Sequence, residues 1–196
     1  MAARALLGFS GKCRSGKNTA AEAAGEWFRT RGWTVHFVAF ADPLRAVLET
    51  LTGVPASETH SAENKARLLP PAWGGLTVGR ALQTLATDAI RHHFHPDAWI
   101  IAGLHSFDSA PASNTKTVWI FTDVRFPNEA QAIRDRGGLL IRVERLVRNV
   151  SAETRDLNHI SEIALDGFPH FAARIDNDQD LATLSSRIGE SLDRLM

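Results

Sequence analysis

The residues with the clearest capacity for chemistry form a glycine-rich loop near the start of the chain. They match the pattern G-x-x-x-x-G-K and are Gly11, Lys12, Cys13, Arg14, Ser15, Gly16, Lys17, Asn18 and Thr19. Backbone N–H groups can surround a polyphosphate only where side chains are absent, and glycine supplies both the space and the backbone angles. Lys17 would add a positive charge for the terminal phosphates. We call residues 11–19 the phosphate loop and expect them to bind a nucleoside triphosphate.

The sequence around the loop favours this interpretation over a chance glycine-lysine match. The apolar run at 5–9 predicts a buried strand before the loop, and 18–29 predicts a helix after it, whose positive dipole end would face the phosphates. Asn18 stands where Ser or Thr is usual, and Thr19 follows one step later. We therefore expect Thr19 to share the metal-binding role with Asn18, partly through water.

A second candidate group follows the apolar segment 118–122. Asp123 comes at its end and Arg125 two residues later. Ligands of parallel α/β sheets bind at the carboxyl ends of strands. Asp123 could hold Mg²⁺ through water or orient the attacking oxygen, and Arg125 could reach a phosphate. The alternative is a solvated aspartate in a turn.

The predicted helix over 77–94 has one polar side. With 100° per residue, Arg80, Thr84, Thr87 and Arg91 fall in one stripe opposite the leucines, with Gln83 and Asp88 nearby. The two arginines would be roughly 16 Å apart along the axis, far enough to span a nucleotide. An ordinary solvated helix face is the alternative.

An arginine-rich polar segment follows the predicted strand at 139–143. Four arginines lie between this strand and His159: Arg142, near the end of the strand, and then Arg145, Arg148 and Arg155. A segment over 145–160 that brought Arg145 or Arg148 to the phosphates would exclude water and stabilise transferred charge, as a lid does. The alternative is a charged surface loop.

The elements that must position these residues alternate between strand and helix. Strands are predicted at 5–9, 34–40, 117–122, 139–143 and 174–176, and helices at 18–29, 42–51, 77–94, 97–104, 127–136 and 181–195. This order predicts an α/β fold with three layers, α/β/α, and a mainly parallel sheet. We expect one domain over 1–196, with a helical acceptor-binding region at about 42–105 and a lid at about 145–160.

Composition excludes several classes of protein. The 196 residues carry 22 basic and 22 acidic side chains, which disfavours a non-specific nucleic-acid or membrane-surface binder. The single cysteine, Cys13, fits a reducing compartment. The apolar run at the start is too short for a signal peptide or a membrane span. We expect a cytoplasmic protein, in the host cytoplasm if a phage encodes it.

Taken in order, several segments resemble the phage-type deoxynucleoside monophosphate kinases, a branch of the P-loop nucleoside monophosphate kinases. The similar segments are 10–19, 39–44, 82–88 with Trp99 downstream, 122–129, 137–142, 159–162 and 175–178. The resemblance spans nearly the whole chain. The family usually has Asp where this chain has Asn18, and residues 53–76 resemble it least.

The resemblance implies transfer of the γ-phosphate of ATP, with Mg²⁺, to a dNMP. Lys17, Asp123, Arg125 and Arg145 would act in transfer, and Arg148 and Asn177 would join the phosphate loop in binding ATP. The residues expected to bind the acceptor are Asp42, Arg45, Arg80, Gln83, Thr87, Asp88, Arg91, Trp99 and Glu129. Metal binding would fall to Asn18, Thr19 and Asp123.

Two other functions remain open at this point. One is another small-molecule P-loop kinase, such as a dephospho-coenzyme A kinase. The other is a nucleotide-binding module without turnover. We expect small nucleotides as partners rather than nucleic acid or membrane. A homodimer is compatible with the sequence, which determines neither the oligomeric state nor the accepted bases.

Overall fold

The computed structural model describes residues 4–111, 115–145 and 160–196. It divides into two compact units: the first comprises 1–39 and 110–196, and the second comprises 40–109. The second unit nearly coincides with the helical region predicted at 42–105. Of the predicted lid, residues 146–159 lie outside the described residues, so Arg148 and Arg155 do too. The lid and the single-domain boundary stay predictions.

The first unit contains a five-stranded sheet in which every described pair of neighbouring strands is parallel. The strands are β1 (Arg4–Ser10), β2 (Thr34–Val38), β3 (Thr117–Val124), β4 (Leu139–Glu144) and β5 (Ala173–Asp176). Their order is β2-β3-β1-β4-β5. The predicted α/β class and parallel sheet are confirmed.

Helices connect the strands, and four of the described helices begin and end within two residues of their predicted bounds. In chain order they are α1 (Lys17–Arg29), α2 (Asp42–Thr52), α3 (Ala62–Ala66), α4 (Val78–Gln83), α5 (Ala98–Asp108), α6 (Pro127–Asp135), α7 (Ile160–Ile163) and α8 (Leu181–Leu195). Short 3₁₀ turns cover Ala56–Thr59 and Pro71–Trp73. The sequence did not indicate α7, because four residues are too few for a periodic signal.

The core of the first unit lies between the sheet and two of its helices. Leu7 and Phe9 of β1 and Ile120 of β3 are fully buried, since central strands of a parallel sheet are covered on both faces. Phe28 of α1 and Ile188 of α8 pack on the same cluster. The core therefore fixes both ends of the phosphate loop, the strand before it and the helix after it.

In the second unit, helix α4 continues as a π-helix over Thr84–Arg91. The N–H of His92 donates to the carbonyl of Thr87, an i→i+5 bond. The 100° stripe predicted for Arg80, Thr84, Thr87 and Arg91 assumed α-helical geometry throughout. Only Arg80 of the four lies on α4. The other three lie on the π-helix, whose wider turns rotate successive side chains by a smaller angle, so the predicted stripe is wrong.

Candidate functional site

The phosphate loop follows β1, the central strand of the sheet. β1 lies between β3 and β4, with Ser10 paired to Val124 on one side and to Arg142 on the other. The chain therefore turns into the loop at the carboxyl edge, beside the end of β3. Asp123 is the second-last residue of that strand and is half-buried, and Arg125 directly follows the strand. Register alone thus brings the predicted carboxylate and arginine to the edge that carries the loop.

The loop needs its two glycines for conformation and for space. Gly16 has φ 88°, a left-handed backbone angle that favours glycine. A methyl group on Gly16 would overlap the amide nitrogen of Asn177, and one on Gly11 would lie 2.5 Å from the carbonyl oxygen of Val143. Helix α1 begins at Lys17 with no acidic residue in its first turn. Its positive end is therefore available to an anion.

Asn177, the residue after β5, holds the phosphate loop in place by a hydrogen bond. Its Nδ2 donates to the carbonyl oxygen of Ser15 at 2.8 Å, and its backbone N–H donates to the carbonyl of Glu144 at 2.7 Å. The residue is buried. Asn177 was predicted to bind ATP, and that contact stays a prediction. The observed contact is with the backbone of the phosphate loop.

We expect Asn177→Asp to destabilise the loop strongly. The change replaces an N–H donor by a carboxylate oxygen facing the Ser15 carbonyl, in a buried position. The expected loss is more than about 2 kcal/mol in the free energy of unfolding, with a raised KM for ATP. Urea unfolding and ATP kinetics measure both, and Asn177→Ala is the control that removes the bond without adding charge. Equal stability of the two variants would contradict this account of the contact.

A chain of charged groups joins the loop to the segment after α7. Lys12 Nζ lies 2.9 Å from Asp166 Oδ2, and Arg142 Nη2 lies 2.6 Å from Asp166 Oδ1. Arg142 Nη1 also donates to the hydroxyl of Ser10 at 3.2 Å. Arg142 is buried within β4, so it belongs to the sheet and not to the arginine-rich segment that follows. Lys12 thus has a carboxylate partner in the described structure.

The pKa of Asp166 lies below its ordinary value of 3.8. Partial burial raises this pKa, but the hydrogen bonds and charges of Lys12 and Arg142 lower it by more. A carboxyl whose pKa is lower in the folded state stabilises the fold above its unfolded pKa. That stabilisation disappears as the pH falls through the folded pKa.

We expect this linkage to appear as a pH-dependent difference between wild type and Asp166→Asn. Above about pH 5 the wild type should be more stable by a constant amount, under about 1 kcal/mol because the carboxylate is 40% exposed. Below pH 3.8 the difference should shrink. Urea unfolding of both proteins between pH 6 and 3 measures it. A difference that grows toward acid pH would contradict the assignment.

Arg125 and Glu129 surround the start of α6. The backbone N–H groups of Arg125 and Phe126 both donate to Glu129 Oε2, at 2.8 and 3.1 Å. Glu129 is buried and caps the helix. Its predicted contact with the acceptor stays a prediction, and the observed role of its carboxylate is to fix the turn that carries Arg125.

Sequence reasoning missed two acidic residues that contact this site, Glu162 and Asp166. Glu162 accepts hydrogen bonds from the Cys13 N–H and from Arg125. A weak signal existed, since Glu162 belongs to one of the segments that resemble the kinase family. Nothing in a local pattern indicates which distant cation or N–H an acidic side chain will contact.

In the second unit, the predicted acceptor residues occupy several elements. Asp42, at the start of α2, pairs with Arg45 at 2.8 Å. Arg80 Nη1 donates to Gln83 Oε1 at 3.3 Å on α4. Trp99 is buried in the core of this unit. Its indole N–H donates to the carbonyl of Ala86 at 3.1 Å.

The remaining acceptor residues, Thr87, Asp88 and Arg91, lie on the π-helical stretch. Together with Thr84 they give that stretch a polar side chain at four of its eight positions. The contact of these residues with an acceptor stays a prediction.

The predicted metal ligands fit a magnesium ion. Asn18, Thr19 and Asp123 offer an amide oxygen, a hydroxyl and one carboxylate, and Mg²⁺ takes oxygen ligands. A single carboxylate suffices where phosphate oxygens and water complete the shell. Asn18 and Thr19 are exposed in the first turn of α1, where such oxygens would be. Arg145, the predicted lid arginine, is exposed just after β4.

Among the residues that the structure describes, none of the helices has the length and apolar character needed to span a bilayer.

Two solved structures match nearly the whole chain at low sequence identity. The Mycobacterium tuberculosis APS kinase CysC, solved with AMPPNP and APS, is 14% identical with a TM-score of 0.45, covering 98% of this chain and 99% of that one. A gluconokinase from Sinorhizobium meliloti 1021 is 15% identical with a TM-score of 0.47, covering 100% of this chain and 95% of that one. At these TM-scores neither likeness bears on the site.

Sequence comparisons are more specific. A protein of Acanthamoeba polyphaga mimivirus that carries the provisional name deoxynucleotide monophosphate kinase is 26% identical over 200 residues, covering 96% of each chain. The family model described as deoxynucleotide monophosphate kinase matches residues 56–188, more than half of this chain. The match includes Asp123, Arg125, Glu162 and Asn177. This chain therefore belongs to the deoxynucleotide monophosphate kinase family of phosphotransferases.

Proposed function

We propose that this protein transfers the γ-phosphate of ATP to a deoxynucleoside monophosphate, giving a deoxynucleoside diphosphate and ADP. The observation that carries the proposal is the phosphate loop, a glycine-dependent turn between a buried strand and a helix, beside Asp123 and Arg125. Family membership supplies the acceptor class. A dephospho-coenzyme A kinase, one of the functions that the sequence left open, has no comparable support.

The chemistry requires alignment more than covalent help. An oxygen of the acceptor phosphate attacks the γ-phosphorus, and the bond from that phosphorus to the β,γ-bridging oxygen breaks as ADP leaves. The loop N–H groups and Lys17 would hold the β- and γ-phosphates, and Arg125 would neutralise charge on the transferring group. Magnesium, when bound, supplies further charge neutralisation between the phosphates. Asn18, Thr19 and Asp123 would hold it.

We assign recognition of the acceptor to the second unit. Its polar residues Arg45, Arg80, Gln83 and Arg91 offer charge and hydrogen bonds suited to a phosphate and a base edge. We also propose the cytoplasm as the site of action, since a sequence with a single cysteine cannot form an internal disulfide and suits a reducing compartment.

An ADP-release assay tests the proposal directly. The acceptors are the four dNMPs, the four NMPs and dephospho-coenzyme A, each with ATP and Mg²⁺. Turnover with one or more dNMPs is expected. Turnover with dephospho-coenzyme A alone would assign the other kinase activity, and ATP binding without turnover on any acceptor would indicate a binding module.

Replacing the arginines of the second unit should impair acceptor use. Arg80→Ala and Arg91→Ala should each raise KM for the dNMP by about ten- to a hundred-fold, because a charge-assisted hydrogen bond contributes about 1.5–3 kcal/mol. The dissociation constant for ATP should stay unchanged. Arg67→Ala is the matched control, since Arg67 lies in the same unit and pairs with Glu58 on the surface. Unchanged acceptor kinetics in both variants would favour the alternative interpretation, an ordinary solvated helix face.

A further inference from the structure

Helix α7 buries its charged residue and exposes its apolar ones. The side chain of Glu162 is 1% exposed, whereas Ile160 and Ile163 are 55% and 40% exposed. Burial of a carboxylate is costly unless specific partners compensate. This inversion shows that the position of α7 is set by what Glu162 contacts and not by burial of its isoleucines.

The two oxygens of Glu162 contact two different parts of the site. Oε2 accepts the backbone N–H of Cys13 in the phosphate loop at 2.7 Å, and Oε1 accepts Nη1 of Arg125 at 2.9 Å. Both distances are typical of charge-assisted hydrogen bonds. One rigid carboxylate therefore fixes the distance between the loop and the guanidinium that follows β3.

Arg125 is held at both of its ends. Glu129 accepts its backbone N–H at 2.8 Å, and Glu162 accepts one of its guanidinium N–H groups. The side chain is nevertheless 24% exposed, and a guanidinium has five N–H donors. Arg125 is thus oriented by protein contacts while donors remain for a ligand in the phosphate loop.

We propose that Glu162 is a positioning residue that sets Arg125 in register with the phosphate loop. Arg125 then meets the transferring phosphoryl group already oriented, so its charge stabilises that group without reorganisation at the moment of transfer. Glu162 itself touches neither nucleotide. The inference rests on the proposed function, because it assigns to Arg125 the phosphoryl group of that reaction.

A double-mutant cycle between Glu162→Gln and Arg125→Ala tests the proposal. Glutamine has the same shape, but its NH₂ group must face either the Cys13 N–H or the Arg125 guanidinium, both of which are donors. E162Q alone should lower kcat at least tenfold with KM for ATP changed less than threefold. In the R125A background E162Q should lower kcat less than twofold. Equal fold-losses in both backgrounds would overturn the proposal in favour of a structural role.

Asp166→Asn is the matched control for this cycle. Asp166 follows the same short helix and contacts Lys12 and Arg142 instead of Arg125. Its fold-loss in kcat should be the same with and without R125A. If D166N also loses its effect in the R125A background, the cycle reports general damage to this segment, and the specific role of Glu162 is rejected.

A readout independent of turnover separates this inference from the proposed function. In ¹⁵N-labelled protein the Cys13 amide proton should resonate downfield in wild type and shift upfield in E162Q. If the wild type binds ATP without phosphorylating any dNMP, the proposed function fails whatever this signal does. If the wild type is active and the Cys13 signal is unchanged in E162Q, the positioning role fails and the function stands.

Should E162Q not fold, Glu162→Asp replaces it under the same criteria. Aspartate keeps the charge but is one methylene shorter, so it cannot reach both partners. If neither variant folds, Glu162 is required for the fold itself and the positioning role is overturned.

Discussion

Replacement of Lys17 by alanine is expected to lower kcat by about 10²- to 10³-fold with every acceptor that the wild type uses. Lys17 is the first residue of α1 and follows the left-handed turn at Gly16, where a bound triphosphate would meet the positive end of the helix. Loss of one preorganised group that stabilises transition-state charge costs about 2.7–4 kcal/mol. Steady-state ADP release measures the effect, and circular dichroism and the Tm check that the fold is kept.

Lys116→Ala is the control for this variant. Lys116 is exposed just before β3, at the opposite edge of the sheet from the phosphate loop. It should keep the kcat of the wild type. Retention of near wild-type kcat by Lys17→Ala would reject the assignment of the phosphate loop.

Replacement of Gly16 by alanine should combine a loss of stability with a loss of ATP binding. The left-handed backbone angle at Gly16 costs an ordinary residue about 1–2 kcal/mol. The added methyl group would also displace the Asn177 amide that holds the loop. We expect a loss of more than about 2 kcal/mol in the free energy of unfolding and a KM for ATP raised at least tenfold. Urea unfolding and ATP kinetics measure the two effects.

Gly32→Ala separates backbone strain from the clash. Gly32 has a similar φ of 76°, and nothing lies within 4 Å of the position of an added methyl group. This variant should lose about 1–2 kcal/mol in stability and keep the ATP kinetics of the wild type. Asn177→Ala in the Gly16→Ala background removes the clashing amide and should restore part of the lost stability. Equal ATP kinetics in Gly16→Ala and Gly32→Ala would contradict the proposed role of this turn.

Local sequence patterns predicted the elements that depend on residues close together in the chain. Buried parallel strands produce short apolar runs, and β1 and β3 were predicted within two residues of their bounds. The phosphate loop was predicted because the backbone angles and the close contacts of a phosphate-binding turn require glycine. Asp42-Pro43 indicated the start of α2 because proline suits the first turn of a helix.

The π-helical stretch marks the limit of such signals. The apolar face of 77–94 predicted a helix, and a helix is present, but periodicity over so few turns does not distinguish i→i+4 from i→i+5 bonding. The spacing of Arg80 and Arg91 around the axis was therefore predicted on the wrong geometry. Packing of this segment with Trp99, which bonds the carbonyl of Ala86, is a tertiary feature.

The sequence by itself determined the phosphate loop, the α/β order and the family that both resemble. The tertiary structure alone decided what holds the loop in place. Asn177 and Glu162 contact the loop across separations of 162 and 149 residues. These contacts depend on the strand order, which places β4 beside β1 and β5 beside β4. A local pattern carries no information about partners so far along the chain, because only the folded sheet brings them together.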